Sequence, residues 1–294
     1  MTDLIYEAVA CAGKSLPLSW LEKAGRMCGL GMWYALPSRR GMACANIRQC
    51  LEVTAPQAHR IGLASFRHTG QAFAEIFWGR RANWRWFAQQ VRVAQPEIVK
   101  RVQASDRPIV ATTGHFGAWE LMAPVMAMLF EGRPKQVVIR AGRDASMFAL
   151  LKRLRRRNGI EVLGHRQAAP AVLRQLRRGG VTAFLTDHNT TQKDAAFFPF
   201  CGRLAAVNMG PALLALRAKA LVWPVYLRRE GQGYIFDADT PLDTTTLTGE
   251  RTERQQAVAR FYTQAMEQRV YTYPEQWFWM HNRWKTRPLG ERGI

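Results

Sequence analysis

The chain has 294 residues, enough for one α/β domain with an additional helical segment. Hydrophobic residues make up 48% and charged residues 22%, a balance that excludes a globally disordered protein. Lysine and arginine total 42 against 22 acidic residues. The resulting net charge of +20 predicts an acidic partner: nucleic acid, an anionic membrane surface or an acidic carrier protein.

The five cysteines show no CxxC spacing, and their number is odd. This pattern predicts neither a disulfide framework nor a zinc site, and it favours a reducing compartment. The first residues carry two acidic side chains before any base, so no secretory signal is predicted. No run of about 18 uncharged apolar residues occurs, and a transmembrane helix is not predicted either.

Helical patterns dominate residues 1–105. Near the start, an amphipathic segment places five side chains on one apolar face: Trp20, Leu21, Ala24, Met27 and Cys28. It fits either a helix packed on the core or an in-plane membrane anchor. A second helix is predicted over 57–78. The following WGRRANWRW interleaves tryptophan with arginine, which suits lipid headgroups, single-stranded nucleic acid or a helix end with buried tryptophans.

From residue 109 onward, short β patterns alternate with helical ones. Strands are predicted over 109–113, 136–140, 160–163, 181–186 and 221–228, and YIFDAD is predicted as an edge or hairpin strand. Helices are predicted over 120–129, 146–158, 168–179, 209–218 and 250–270. This order predicts an α/β fold with a mainly parallel central sheet and helices on both faces. The division is a helical, membrane-associating subdomain (1–105) and an α/β core (106–294), joined as one folded unit.

The segment Thr113-Gly114-His115-Phe116-Gly117-Ala118-Trp119-Glu120 lies where a strand gives way to a helix, a common place for active sites in open α/β sheets. Five residues turn roughly 500° on an ideal helix, so His115 and Glu120 meet only if the histidine lies in the turn. Gly114 and Gly117 permit such a turn. A carboxylate on the imidazole Nδ1–H would leave Nε2 as a general base.

The same segment resembles the H-x4-D/E signature of acyltransferases, and its Glu form is similar to the lipid A biosynthesis lauroyl/myristoyl acyltransferases. Further blocks resemble that family in the same order from about residue 39 to 288: Arg39-Arg40 with Asn46, Arg155 before Gly159, Thr186-Asp187-His188 followed by FFPFCG and Gly210, and Pro274-Glu275-Gln276-Trp277 with WMHNRWKTRP. Each block is weakly specific by itself, but the ordered set is much more specific.

The resemblance implies a transferase that moves a fatty acyl group to a hydroxyl of a membrane glycolipid, most simply a lipid A precursor. The acyl donor would be a thioester of acyl carrier protein or CoA, used as co-substrate without a metal, another cofactor or a covalent acyl-enzyme. It also implies His115 as the base and Glu120 as its partner. The partners would be acyl carrier protein, the acceptor and an anionic membrane surface, with a location at the cytoplasmic face of the bacterial inner membrane.

Other residues are candidates for substrate binding. Five of the six residues 152–157 are basic, which favours an anion site, and Arg155 is its best member because the family position coincides. Asp187 either positions Arg155 or caps a helix. Gly114 and Gly117 are candidates because they lie in the turn that contains His115. Phe198 and Phe200 fit either an acyl-chain groove or plain core, and the C-terminal tryptophans fit either a membrane contact or a docked tail.

Three alternatives stay open at this stage. The same chemistry could serve another acceptor, such as an ornithine lipid, a mannosylated inositol lipid or a polyene lipid. A non-catalytic nucleic-acid-binding protein would explain the charge of +20 but not the ordered blocks. A degenerate family member kept as a scaffold is disfavoured by the intact histidine and glutamate of the signature.

Overall fold

The computed structural model describes residues 16–139, 149, 153, 159–165 and 168–290. The helices in this part of the chain are α1 (Leu18–Ala35), α2 (Pro37–Leu51), α3 (Ala55–Trp78), α4 (Trp84–Gln90), α5 (Pro96–Gln103), α6 (Met122–Leu129), α7 (Ala169–Leu176), α8 (Gly210–Arg217) and α9 (Arg251–Thr272). The strands are β1 (Val91–Val93), β2 (Ile109–Thr113), β3 (Lys135–Ile139), β4 (Ile160–Gly164), β5 (Val181–Leu185), β6 (Ala195–Phe200), β7 (Arg203–Asn208), β8 (Leu221–Glu230), β9 (Gly233–Ala238) and β10 (Leu242–Asp243).

The central sheet has the order β1-β9-β8-β2-β5-β3-β4, with β10 paired to β8. The β2, β3, β4 and β5 ladders are parallel, as is the pair of β2 with β8, so the predicted mainly parallel sheet is confirmed. YIFDAD forms most of β9, which is antiparallel to β8 in a hairpin. It is not an edge strand, because β1 pairs with its other side. A separate antiparallel hairpin joins β6 to β7.

Helices cover both faces of the sheet, as the alternation predicted. On one face Val125 and Met126 of α6 belong to a core cluster with Ile109. On the other face Ala215 of α8 and Val258 of α9 pack in a cluster with Val110. All five residues of β2 are buried, which is the burial expected of a strand between two helical layers.

The N-terminal helix α1 is present, but its buried face differs from the predicted apolar face. Gly25 and Gly29 contact α3 so closely that a Cβ at either position would overlap the α3 backbone. This close approach buries the stripe that contains the two glycines, together with Leu21 and Trp33. Of the five residues predicted on one apolar face, Trp20 and Met27 are each 65% exposed. The backbone approach of the glycines, and not side-chain hydrophobicity, therefore decides which face packs.

The division near residue 105 remains a prediction. Across it, β1 belongs to the predicted helical part yet extends the central sheet by pairing with β9. None of the helices in the described ranges is long and apolar enough to cross a membrane. The predicted helix over 146–158 and its basic cluster lie outside the described residues, apart from positions 149 and 153.

The structure separates the alternatives for the two tryptophan-rich segments. In the C-terminal segment Trp277, Trp279 and Trp284 are buried, so this is a docked tail and not a membrane-facing one. Arg283 is also buried and donates to the carbonyl of Ala206 at 2.7 Å, which ties the tail to β7. In the segment WGRRANWRW the tryptophans differ in burial. Trp78 and Trp86 are buried core residues, whereas Trp84 is 48% exposed.

Cys50 and Cys201 form a disulfide with a Cα–Cα distance of 4.6 Å. The bond joins the end of α2 to the turn between β6 and β7, and both cysteines are buried. The expectation that no disulfide forms is therefore wrong for this pair. Spacing along the chain gave no signal, because the two residues are 151 positions apart and meet only through the tertiary fold.

Candidate active site

The central candidate segment forms a tight loop between β2 and α6. A Cβ at Gly114 would lie 2.9 Å from the Asp187 carboxyl, and one at Gly117 would overlap the Leu227 carbonyl oxygen. Gly117 also has a φ of +59°, a region that L side chains rarely adopt. The next residue, Ala118, donates its N–H to the Leu227 carbonyl at 2.7 Å. The two glycines thus permit the turn, as predicted. Gly114 allows the close approach to Asp187, and Gly117 allows the close approach to β8.

His115 projects from this loop onto the carboxylate of Asp187. Its Nδ1 lies 3.0 Å from Asp187 Oδ1, and its backbone N–H donates to Asp187 Oδ2 at 2.8 Å. Asp187 follows β5, the direct neighbour of β2 in the sheet, so the two residues stand at the carboxyl ends of adjacent parallel strands. The Asp187 side chain is fully buried, whereas that of His115 is 31% exposed. The imidazole is therefore fixed on its inner side by Asp187 and is partly exposed to solvent.

The surroundings keep Asp187 ionised. Burial by itself raises the pKa of this carboxyl. The charge that His115 carries when protonated, the hydrogen bond of His115, the charge that His281 carries in acid and the indole N–H of Trp277 together outweigh burial. The net pKa of Asp187 lies well below its ordinary value. An ionised carboxylate at Nδ1 keeps the proton on that nitrogen, so Nε2 carries the lone pair of a general base.

The carboxylate at Nδ1 is thus Asp187 and not Glu120, the partner expected from the sequence. Glu120 lies in the turn before α6, and its carboxylate accepts the Trp119 indole N–H at 3.1 Å. The Trp119 ring in turn packs edge-on against the His115 ring, with centroids 5.7 Å apart. Asp187 is not a helix cap, because the next helical turn, Gln192–Asp194, begins after Thr191. Its buried side chain is not accessible to substrate either.

Two residues of the C-terminal segment, to which the sequence assigned no role in the site, complete this arrangement. Trp277 donates its indole N–H to Asp187 Oδ2 at 2.9 Å. Gln276 makes two hydrogen bonds with the backbone of Arg229 on β8 and accepts the Gly117 N–H on its carbonyl at 2.9 Å. The motif Pro274-Glu275-Gln276-Trp277 was the available signal, but only the fold shows that it ties the loop of His115 to β8.

Phe198 and Phe200 do not line a groove. Phe198 is 4% exposed and belongs to the core around α8 and α9, and Phe200 is 1% exposed and stacks against Trp277 and Trp284. Of the two interpretations, plain core is the correct one, because the β6–β7 hairpin turns these rings inward.

An apolar cavity of about 60 Å³ lies elsewhere, between α6 and the sheet. Thr113 and Trp119 line its end near His115, and Val181 and Ile160 line the opposite end, where their strands begin. The cavity therefore follows a five-residue strand, a distance of about 13 Å. Its walls include Met122 and Met126, side chains that adapt readily to the shape of an apolar ligand.

The predicted anion-binding residue Arg155 lies outside the described residues, so its role stays a prediction. Within residues 16–139, 149, 153, 159–165 and 168–290, no group of three or more His, Cys, Asp or Glu side chains is placed to hold a metal ion.

Comparison with known proteins agrees with the chemistry of this site. The family model described as bacterial lipid A biosynthesis acyltransferase matches residues 1–286. The chain is 26% identical over 267 residues to the lipid A biosynthesis palmitoleoyltransferase of Escherichia coli, covering 88% of this chain and 83% of that one. It is also 26% identical over 290 residues to the lipid A biosynthesis lauroyltransferase of the same organism, covering 94% and 88%. This protein belongs to the bacterial lipid A biosynthesis acyltransferase family.

Proposed function

We propose that this acyltransferase moves a fatty acyl chain from an acyl carrier protein or CoA thioester to a hydroxyl group of a lipid A precursor. The observation that carries the proposal is the partly exposed His115 held through Nδ1 by the buried carboxylate of Asp187. This is the base-and-orienter part of a catalytic triad, without an attached nucleophile. The names of the relatives, which are lipid A acyltransferases, support the choice of acceptor.

In the proposed reaction, Nε2 of His115 accepts the proton of the acceptor hydroxyl while the hydroxyl oxygen attacks the thioester carbonyl carbon. A C–O bond forms, the C–S bond breaks, and the proton passes from the imidazolium to the departing thiolate. The acyl group is transferred directly, without an acyl-enzyme. The negative charge of Asp187 stabilises the imidazolium that exists between the two proton transfers.

Glu120 remains the second member of the proposed catalytic pair. Since Asp187 occupies Nδ1, Glu120 acts from the side of the site where Trp119 contacts His115. Its carboxylate is oriented by the Trp119 indole and is partly exposed, so it is placed to accept a hydrogen bond from the acceptor. We propose that it aligns the attacking hydroxyl with Nε2. Arg155 is proposed to bind an anionic group of the substrate.

The apolar cavity beside α6 is proposed to receive the acyl chain. A volume of about 60 Å³ holds only part of a fatty chain, so the methionines of α6 must shift when the chain enters. This location takes over the role first considered for Phe198 and Phe200. A larger side chain in place of Met126 is then expected to favour shorter acyl donors.

We further propose a peripheral location on the cytoplasmic face of the inner membrane. Trp20, Met27 and Tyr34 recur every seven residues on the outer face of α1 and are each at least 65% exposed. Lys23 and Arg26 are exposed on the same helix. An apolar stripe with basic side chains beside it suits an anionic lipid surface.

The test is acyl transfer in detergent micelles with acyl carrier protein or CoA thioesters. The acceptors are a lipid A precursor, an ornithine lipid, a mannosylated inositol lipid and a polyene lipid. His115→Ala and Glu120→Ala should lose activity by orders of magnitude while remaining folded. His59→Ala, which removes an exposed histidine on α3, is the matched control and should stay active. Retained activity in His115→Ala, or transfer only to another acceptor, would contradict the proposal.

A further inference from the structure

A second cavity adjoins the active site on the other side of Asp187. It has a volume of about 380 Å³, within the range of small-molecule sites, and lies between loop 188–191 after β5 and the C-terminal loop 281–286. His188, in its wall, follows Asp187 directly along the chain. His281, in the opposite wall, has Nε2 3.1 Å from the Asp187 carbonyl oxygen. Asp187 therefore contacts both sites: its side chain binds His115, and its backbone carbonyl binds His281 in the wall of this cavity.

The walls of this cavity are fixed by reciprocal hydrogen bonds between the two loops. The Thr286 N–H donates to Asn189 Oδ1 at 3.0 Å, and Asn189 Nδ2 donates to Thr286 Oγ1 at 2.9 Å. The Thr286 hydroxyl also donates to the Thr190 carbonyl at 2.7 Å. Because the loops hold each other, the cavity exists before any ligand enters, and ligand binding need not first order its walls.

The lining chemistry selects for an anion. Every residue of the lining lies in the described part of the chain, and it comprises hydroxyls, side-chain amides, two imidazoles and Lys285, with no carboxylate. Burial lowers the pKa of both His188 and His281 to about 4, despite the nearby charge of Asp187. Both imidazoles are therefore neutral near pH 7. Lys285 then supplies the positive charge of the lining. Asn189, Thr191 and Thr286 already donate within the protein, so they shape the walls. The hydrogen bonds to phosphate oxygens would come from Lys285, the Asn282 amide and His188.

We propose that this cavity seats a phosphate group of a substrate, with Lys285 as its charged ligand. The identity of the substrate rests on the proposed function, which offers two sources of a phosphate group. One is a phosphorylated sugar of the acceptor glycolipid, and the other is the phosphodiester of the phosphopantetheine arm that carries the acyl thioester. In both cases the phosphate is anchored on one side of Asp187 while another part of the same molecule reaches His115 on the other side.

Binding is measured first, by calorimetry on the full-length protein with inorganic phosphate, glucosamine 1-phosphate and phosphopantetheine. Lys285→Gln should weaken binding of at least one phosphate probe about tenfold, the loss expected for one charge-assisted hydrogen bond. Lys193→Gln is the matched control. It removes the same charge from an exposed position two residues beyond loop 188–191, outside the cavity lining, and should bind as the wild type does.

Kinetics then separates the two sources. A raised KM for the acceptor in Lys285→Gln, with the KM for the thioester unchanged, assigns the cavity to the sugar phosphate, and the reverse assigns it to the carrier arm. Equal binding by Lys285→Gln and wild type, or equal losses in Lys285→Gln and Lys193→Gln, would overturn the proposal. Because the binding assay needs no turnover, phosphate binding with no acyl transfer would reject the proposed function alone, and normal transfer without a Lys285 effect would reject the phosphate site alone.

Discussion

Replacing Asp187 with Asn tests which carboxylate orients His115, the proposed catalytic base. Asp187 accepts three hydrogen bonds: from the His115 backbone N–H at 2.8 Å, from the Trp277 indole at 2.9 Å and from His115 Nδ1 at 3.0 Å. An asparagine has one carbonyl oxygen, and the first two donors both meet Oδ2. The two donors fix the orientation of the asparagine side-chain amide, with its oxygen toward them. The flipped amide would leave both buried donors unsatisfied, at a cost of about 1–3 kcal/mol each.

The NH₂ group of the asparagine then faces Nδ1 of His115. It forces Nδ1 to act as acceptor and moves the ring proton to Nε2, the nitrogen that must be unprotonated in a base. The loss of a charge-assisted bond and the wrong tautomer together predict a decrease in kcat of about 10³–10⁴-fold. KM should change little, since the buried side chain does not touch substrate.

The assay is steady-state acyl transfer by Asp187→Asn, with near-ultraviolet circular dichroism to verify the fold. Glu120→Gln is the informative comparison, because it neutralises the other carboxylate of the site without changing its size. If kcat of Asp187→Asn stayed within about tenfold of wild type while Glu120→Gln lost most activity, Asp187 would not be the orienting group, and the role derived from its hydrogen bonds would be refuted.

Three further outcomes follow from the same geometry. Trp277→Phe removes one hydrogen-bond donor from the Asp187 carboxylate and makes that carboxylate more basic. The pKa of His115 should then rise, so the acidic limb of the kcat/KM profile should move upward by about 0.5–1 pH unit. Trp284→Phe, in the same aromatic cluster, should not move it. Gly117→Ala should reduce the free energy of unfolding in urea by about 3 kcal/mol or more, whereas Gly231→Ala, with a positive φ but open space around it, should cost only about 1–2 kcal/mol. Burial lowers the pKa of His68 to about 3, so below about pH 6.5 the unfolded chain binds a proton at this histidine that the folded chain does not bind. The free energy of unfolding should therefore fall as the pH drops from about 6.5 toward 3. His68→Gln should flatten this slope by up to about 1.4 kcal/mol per pH unit.

Each of these outcomes has a clear contradiction. Identical pH profiles for the two tryptophan variants would show that the indole hydrogen bond does not influence the base. Equal urea midpoints for the two glycine variants would show that the close approach of the catalytic loop to β8 does not restrict the side chain. An unchanged pH slope in the histidine variant would place the acid sensitivity on other groups.

The sequence by itself determined most of the secondary structure in the core. Runs of apolar residues bounded by glycine and helical repeats are local signals, so β2, β5, β8 and α9 lie close to their predicted positions. The same local signals located His115 at the end of a strand and identified the glycines of its turn. The ordered motifs identified the family, because their combined order is far more specific than any one of them.

Only the tertiary structure decided which residues meet. Asp187 contacts His115 because β5 lies next to β2 in the sheet, and strand order is not encoded in the periodicity of either strand. Cys50 and Cys201, 151 positions apart, form their disulfide because the end of α2 packs against the β6–β7 turn, which is also a tertiary contact.

Burial was decided at the same level. Phe198 and Phe200 turned inward because the β6–β7 hairpin faces the core, and the buried face of α1 followed from the glycine contacts with α3. Local sequence determines backbone conformation over a few residues. The partner of a catalytic side chain depends on contacts between distant segments, which form only when the whole core packs.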